Sequence, residues 1–402
     1  MHKNFQKKIL NNGITVLFEK RDLPVVSVGF GFKYGSMYES LNEKGIAHFI
    51  EHMIFKGTSN LSSEQISKLI EKNGGVFNAF TCENLTFYHF KIPSDQIKTG
   101  LNVFLDILKN PLFSQDEIEK ERNIIFEEIK LHQDNPLNHV FHEIQKCLYN
   151  GTLEIGTLGT KKSVGSLNKK ELFKRFEEAY TPDNMILCVV GDADFNEIVE
   201  FAEKNFSKKE NNISKKEFSE INKEKTEKRK GLEQTNIVFA YHVPKANEKN
   251  SYASKLLNTI TAHGMSSRLF IEIREKRNLA YAIKGGNETN KDFAYNLIYI
   301  GTIKEKINEV KKIILNEFKD ISENLSQKEL DEAKKQLIGN YKISLEDSDD
   351  QMVNLLLEEI NGNAENFYDF EKNINNVKLE EIKNLAKKAS EKYSFFVLEP
   401  ED

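Results

Sequence analysis

The chain has 402 residues, 39% apolar and 30% charged, which is enough for two domains with sizeable cores and unlike a disordered or fibrous composition. Fifty-seven Lys+Arg against 62 Asp+Glu leave a net charge of −5, so no basic excess marks a nucleic-acid binder. No apolar run is long enough to span a membrane, and the first residues lack the apolar region of an export signal. Cys82, Cys147 and Cys188 are too scattered for a disulfide framework, and a reducing, cytoplasmic compartment is expected.

In chain order, apolar alternation predicts strands at 14–18 and 25–32. The segment His48-Phe-Ile-Glu51-His52 follows. Ser62-Ser-Glu-Gln65 then opens a helix with Ile66, Leu69 and Ile70 on its apolar face and Gly74-Gly75 as its stop. Two more strands are expected at 76–80 and 87–92. Ser114-Gln-Asp-Glu117 is a capping box before a long helix running to about Leu131, and a buried strand is expected at 185–190. Elements mixed without a strict βαβ rhythm point to an α+β fold.

The stretch 208–230 is rich in Lys, Glu, Asn and Ser and reads as a solvated connector. It divides a first half, 1–210, from a second, 234–402, with 211–233 between them. The strand pattern resumes at 237–241. The second half looks like a worn copy of the first: Ser326-Gln-Lys-Glu-Leu330 echoes Ser114-Gln-Asp-Glu-Ile118, and Gly264–Leu269 falls near the offset of Gly45–Ile50. At those offsets His48, Glu51, His52 and Glu128 correspond to Ser267, Phe270, Ile271 and Asn340, so the second half is expected to lack metal ligands.

The sharpest chemical signal is His48–His52. On a helix the two imidazoles lie one turn apart on one face and can reach one ion, while Glu51 can address a water beside it. This is the inverted form of the His-Glu-x-x-His zinc motif. A third protein ligand is needed, and the helix after Ser114 offers Glu121, Glu127 and Glu128. Glu121, Ile125 and Glu128 share a face with Ile118, where carboxylates need a partner or a cation. Glu127, aligned with Ile124 and Leu131, is not excluded by periodicity. His132, His139 and His142 lack a comparable arrangement, and Gly191-Asp192 and Gly285-Gly286 read as turn or bulge chemistry.

The chain resembles the pitrilysin (insulinase) family of zinc peptidases, which includes the mitochondrial processing peptidase. The resemblance is carried by Gly45–Thr58, Gly74–Thr81, Glu121–Ile129, Gly156–Thr160 and Tyr180–Met185, in family order. It implies two homologous halves, each an antiparallel sheet with helices on one side. It selects Glu128 as the third ligand of one zinc ion per chain and gives Glu121 a supporting place. It further implies that Arg274 and Tyr281 face the zinc site and stabilise an oxyanion or hold the substrate backbone. Asn278 stands where the family usually has Gly, and Asn tolerates the left-handed backbone such a turn needs.

By the same resemblance Glu51 is the general base, and a peptide adds as a strand along Asn78, Ala79 and Phe80. The expected activity is a zinc-dependent endopeptidase acting on extended or unfolded peptides, working as a homodimer with sites shared between chains. A heterodimer with a related subunit, a non-catalytic peptide-binding or assembly subunit, and a zinc hydrolase of non-peptide substrates are the rival readings.

Overall fold

The computed structural model describes residues 4–401. The predicted strands form close to where apolar alternation set them, at Thr15–Lys20, Val25–Phe32, Val76–Thr81, Thr86–Pro93 and Met185–Gly191. With Phe5–Ile9 they make one six-stranded sheet. Its order from edge to edge is Phe5–Ile9, Thr15–Lys20, Met185–Gly191, Val25–Phe32, Thr86–Pro93, Val76–Thr81. All pairs are antiparallel except Thr15–Lys20 with Met185–Gly191, so the expected all-antiparallel sheet is corrected by one parallel pair.

The second sheet repeats that order. Ala282–Thr289, Ala294–Thr302, Thr235–His242, Ser394–Pro400 and Glu224–Arg229 stand as Val76–Thr81, Thr86–Pro93, Val25–Phe32, Met185–Gly191 and Thr15–Lys20 do in the first. Its parallel pair, Ser394–Pro400 with Glu224–Arg229, falls at the matching place. The duplication read from the capping-box echo and from the Gly264–Leu269 echo is therefore present in the topology. Part of the charged stretch taken as a connector is one of these strands. Its charges are tolerated because Glu224–Arg229 pairs only with Ser394–Pro400 and lies at the sheet edge.

The repeat corrects one alignment. By element order, the counterpart of the helix Ile46–Ile54 is Ser251–Ala262, and the Phe270–Glu275 turn occupies the place of Ser63–Glu71. Ser267, Phe270 and Ile271 are thus not the counterparts of His48, Glu51 and His52. The expected absence of ligands stands on different residues: Ser251–Ala262 contains neither histidine nor carboxylate. Gly285 and Gly286 lie inside a strand and not in a turn. A Cβ at Gly285 would come within 2.4 Å of Asn258 Oδ1, so the glycine lets the helix pack closely on the sheet.

The chain folds into two compact units that interleave in sequence, where a division at 211–233 was expected. One comprises residues 1–131, 151–218 and 344–360; the other comprises 132–150, 219–343 and 361–402. Helix Ser348–Asn361, late in the chain, packs on the first sheet: a Cβ at Gly31 would lie 2.5 Å from Leu356 Cδ1. It is fixed there by Ser27–Ser348 (2.9 Å), His89–Asp349 (3.1 Å) and Arg21–Gln351 (3.1 Å). Conversely, helix Pro136–Leu148 joins the second unit, where Ser394 Oγ donates to Cys147 O at 2.8 Å. Ile237, Phe239, Leu256, Ile298, Phe318 and Val397 are among the buried residues of that unit's core.

Candidate metal centre

His48 and His52 lie on helix Ile46–Ile54, which buries Ile46, Ala47, Phe49, Ile50, Met53 and Ile54 and also His48, while Glu51 and His52 are half-buried. Burial of that apolar face leaves the 48–51–52 stripe to turn elsewhere. The helix starts at Gly45, whose φ of +91° is left-handed and whose absent Cβ would lie 2.7 Å from Leu158 O. The Gly156–Thr160 segment singled out in the sequence is thus the surface against which the helix begins.

The acidic helix Gln115–Asp134 buries Ile118, Glu121, Ile125 and Ile129, as periodicity requires. Arg122 fixes it beside the first helix. Its guanidinium lies 5.5 Å from the Phe49 ring centroid and donates to Val164 O and to Leu167 O at 2.8 Å. Between Glu127 and Glu128, which periodicity left open, the structure decides: Glu127 is exposed, whereas Glu128 is half-buried. Glu128 Oε2 lies 3.6 Å from His48 Nε2 and 3.6 Å from His52 Nε2.

One donor atom from each of His48, His52 and Glu128 falls within 4.8 Å of the other two. Bonds of about 2.0–2.1 Å at a tetrahedral angle place donors roughly 3.3 Å apart, so small side-chain adjustments close this set around zinc. Two imidazoles and one carboxylate are also the donor chemistry of catalytic zinc, with a fourth position left for water.

Glu121 lies directly behind this set. Its Oε2 accepts from His52 Nδ1 at 3.0 Å, which directs Nε2 toward Glu128, and its Oε1 receives Lys56 Nζ at 2.8 Å. Burial would lift the Glu121 carboxyl, but the hydrogen bonds from His52 and Lys56 outweigh it and hold it below the usual carboxylate range. Burial likewise works against a charged His52, yet Glu121 and Glu128 carry it up to about 9. The same two carboxylates attract any cation to this point.

Glu51 stands one helical turn from His48 and beside His52. Its Oε2 accepts from Thr81 Oγ1 at 2.6 Å. Burial pushes its carboxyl up and the Thr81 hydroxyl pulls it back, which leaves a carboxylate of raised proton affinity next to the ligand set.

Asn78, Ala79 and Phe80 lie in Val76–Thr81, an edge strand paired only with Thr86–Pro93. Ala79 N–H donates to Asn78 Oδ1 at 2.9 Å. Arg274 and Tyr281 belong to the other unit. Arg274 stacks on Phe270 at 4.9 Å, and half of Tyr281's surface is exposed. Between them Asn278 adopts φ +52°, the left-handed turn that the Gly-to-Asn departure called for.

Sequence reasoning missed three residues of this site. Thr81 ends the Gly74–Thr81 segment, where nothing in the sequence gives its hydroxyl a role. Lys56 lies just past the end of the His48–His52 helix, so no helical periodicity marks it. Glu39, described below, had no signal either.

Residues 15–161 match the family model Insulinase (Peptidase family M16), and residues 166–337 match the model of the Peptidase M16 inactive domain. An uncharacterized zinc protease of Rickettsia felis is 34% identical over 350 residues, covering 86% of this chain and 85% of that protein. The chain belongs to peptidase family M16, the insulinase family. A further uncharacterized zinc protease, from Bacillus subtilis, is 29% identical over 396 residues and covers 97% of each chain. A protease from Helicobacter pylori of known structure superposes with a TM-score of 0.90 at 23% identity, covering 98% of this chain and 99% of that one. An M16 inactive-domain structure from Pseudomonas fluorescens gives 0.89 at 21%, covering 99% and 98%. These two likenesses establish the M16 fold. The names of the sequence relatives point to a zinc protease. Most of the stretch that matches the M16 inactive-domain model lies in the half whose counterpart helix, Ser251–Ala262, has no ligand side chains.

Proposed function

We propose that the protein is a zinc-dependent endopeptidase that cleaves extended or unfolded peptides. The observation carrying this reading is the convergence of His48, His52 and Glu128, with Glu51 alongside on the same helix. Zinc bound by those three residues would supply Lewis acidity toward a scissile carbonyl and acidify a water. Glu51, held by Thr81 and raised in proton affinity by burial, takes the water proton and returns it to the leaving amine. Glu121 and Lys56 hold His52 in its ligating orientation throughout.

Substrate recognition is assigned to the open edge of Val76–Thr81. A peptide adding there bonds main chain to main chain and runs along the strand whose last residue touches Glu51. Such recognition reads backbone before side chains and requires the substrate segment to be unfolded. Arg274 and Tyr281, both exposed in their own unit, are assigned to the substrate backbone and the developing oxyanion. We further propose a homodimer in which each zinc site is completed by the partner's Arg/Tyr pair. No helix among the described residues is long and apolar enough to cross a membrane, and three free cysteines accord with a reducing, cytoplasmic setting.

The test is cleavage of an unstructured peptide by the zinc-loaded protein, with a chelator-treated sample and Glu51→Gln beside it. Zinc-dependent cleavage that falls about 10² to 10⁴-fold in Glu51→Gln, with zinc retained, is the expected result. Undiminished cleavage by Glu51→Gln overturns the role of Glu51. Stoichiometric zinc without cleavage favours the non-catalytic reading.

A further inference from the structure

Helix Ile46–Ile54 has a problem at its start. The first backbone N–H groups of any helix lack intrahelical partners and are ordinarily capped by the side chain at the N-cap. Here the N-cap is Gly45, which has no side chain. The acceptor comes from six residues upstream: Glu39 Oε2 receives Gly45 N–H at 3.0 Å and Oε1 receives Ala47 N–H at 2.8 Å. The next residue is His48.

Glu39 is completely buried, and so is Lys44. A buried carboxylate is costly unless compensated: burial pushes the Glu39 carboxyl up, and the Lys44 charge and the two backbone N–H groups offset that only in part. The loop carrying it is fixed at both ends. Lys44 Nζ donates to Ser36 O at 2.6 Å, and Thr152 Oγ1 lies 3.1 Å from Glu39 O and 3.3 Å from Ser36 O. A plain helix cap needs no buried charge, since an exposed serine does the same, as Ser62 does for the following helix. Two charge-assisted bonds from a rigid loop restrict where the helix begins and how it is rotated.

We propose that Glu39 is a positioning residue of the metal site: by holding Gly45 N–H and Ala47 N–H it sets where His48 and His52 present their Nε2 atoms to Glu128. The inference rests on the metal-site reading above. It makes zinc affinity depend on a side chain that touches no ligand.

The test is zinc affinity, measured by competition with a chromogenic chelator, together with the melting temperature of the metal-free protein. Glu39→Ala would strand the Lys44 ammonium in the interior, so two milder variants are used. Glu39→Asp keeps the charge but is too short to reach both N–H groups. Glu39→Gln combined with Lys44→Met removes both charges and turns an amide NH₂ toward one backbone donor. Each should lose about 10 to 100-fold in zinc affinity, as losing a residue that orients a ligand does. Ile107→Val, a buried change in helix Ile97–Lys109, should lower the melting temperature while leaving zinc affinity unaltered, separating positioning from general stability. Zinc affinity within twofold of the parent in both Glu39 variants overturns the inference alone. A parent chain that binds no zinc overturns the metal-site reading and this inference with it.

Discussion

Thr81 closes the edge strand of the first sheet and donates its hydroxyl hydrogen to Glu51 at 2.6 Å. The strand assigned to the substrate and the helix assigned to the metal are therefore joined by one hydrogen bond at the proposed base.

Replacing Thr81 with Val keeps the β-branched shape and removes the donor. Peptide turnover should fall about tenfold through kcat, since orientation of the base is lost while the ligands are untouched. Thr81→Ser should restore most of it. Zinc content must stay at the parent level in both; its loss in Thr81→Val would show that the hydroxyl supports the metal site itself.

The acidic helix makes a ranking. Glu128→Gln removes a ligand and should abolish tight zinc binding. Glu121→Gln, which frees His52 and Lys56, should weaken zinc by about 10 to 100-fold. Glu127→Gln, exposed, should do nothing measurable. Metal titration of the three variants checks the order, and a larger loss for Glu127 than for Glu128 would reverse the assignment.

Acid stability should depend on Glu143 in the second unit. Its burial opposes ionisation, but hydrogen bonds from His142, Lys146 and Lys225 outweigh that and hold its carboxyl far below the usual range. A depressed folded-state pKa contributes stability that is fully present above the unfolded value of about 4.3, declines as pH falls below it, and is gone only once pH has fallen through the folded-state value. Glu143→Gln should therefore cost about 1–3 kcal/mol at neutral pH, with the gap from the parent beginning to narrow as the pH drops below about 4 and continuing to shrink at lower pH. Chemical denaturation at several pH values measures it. A gap constant with pH would show that burial geometry, not charge, makes Glu143 matter.

The proposed homodimer predicts complementation. A Glu51→Gln chain and a Tyr281→Phe chain, each nearly inactive, should regain roughly a quarter of parent activity once subunits exchange, because half the dimers are mixed and each mixed dimer has one intact site. No recovery despite demonstrated exchange would confine Tyr281 to its own chain or to another partner.

The candidate ligand pair was legible because it is local: a four-residue helical spacing needs no tertiary knowledge. The strands were legible for the same reason, from alternation within each run. Glu128 was not separable from Glu127 by periodicity, because an exposed carboxylate and a ligating one differ only in what stands opposite. Glu39 left no trace at all, since its partners are backbone groups and any sequence offers those. The strand Glu224–Arg229 was hidden for another reason: an edge strand with one neighbour can be charged throughout, and charge is what made it look like a connector.

The exchange of helices between the units has a genetic consequence. All three proposed ligands are encoded before residue 130, yet the face of the first sheet around Gly29 and Gly31 is covered by Met352 and Leu356. A fragment ending near residue 210 carries the ligands and leaves that face bare. The smallest piece that holds the three proposed ligands within a fully covered sheet is thus not a short N-terminal stretch of the gene. A single cut between Ser207 and Glu217 should leave the two fragments interlocked and not release either, whereas synthesis of the first fragment alone should give an insoluble product.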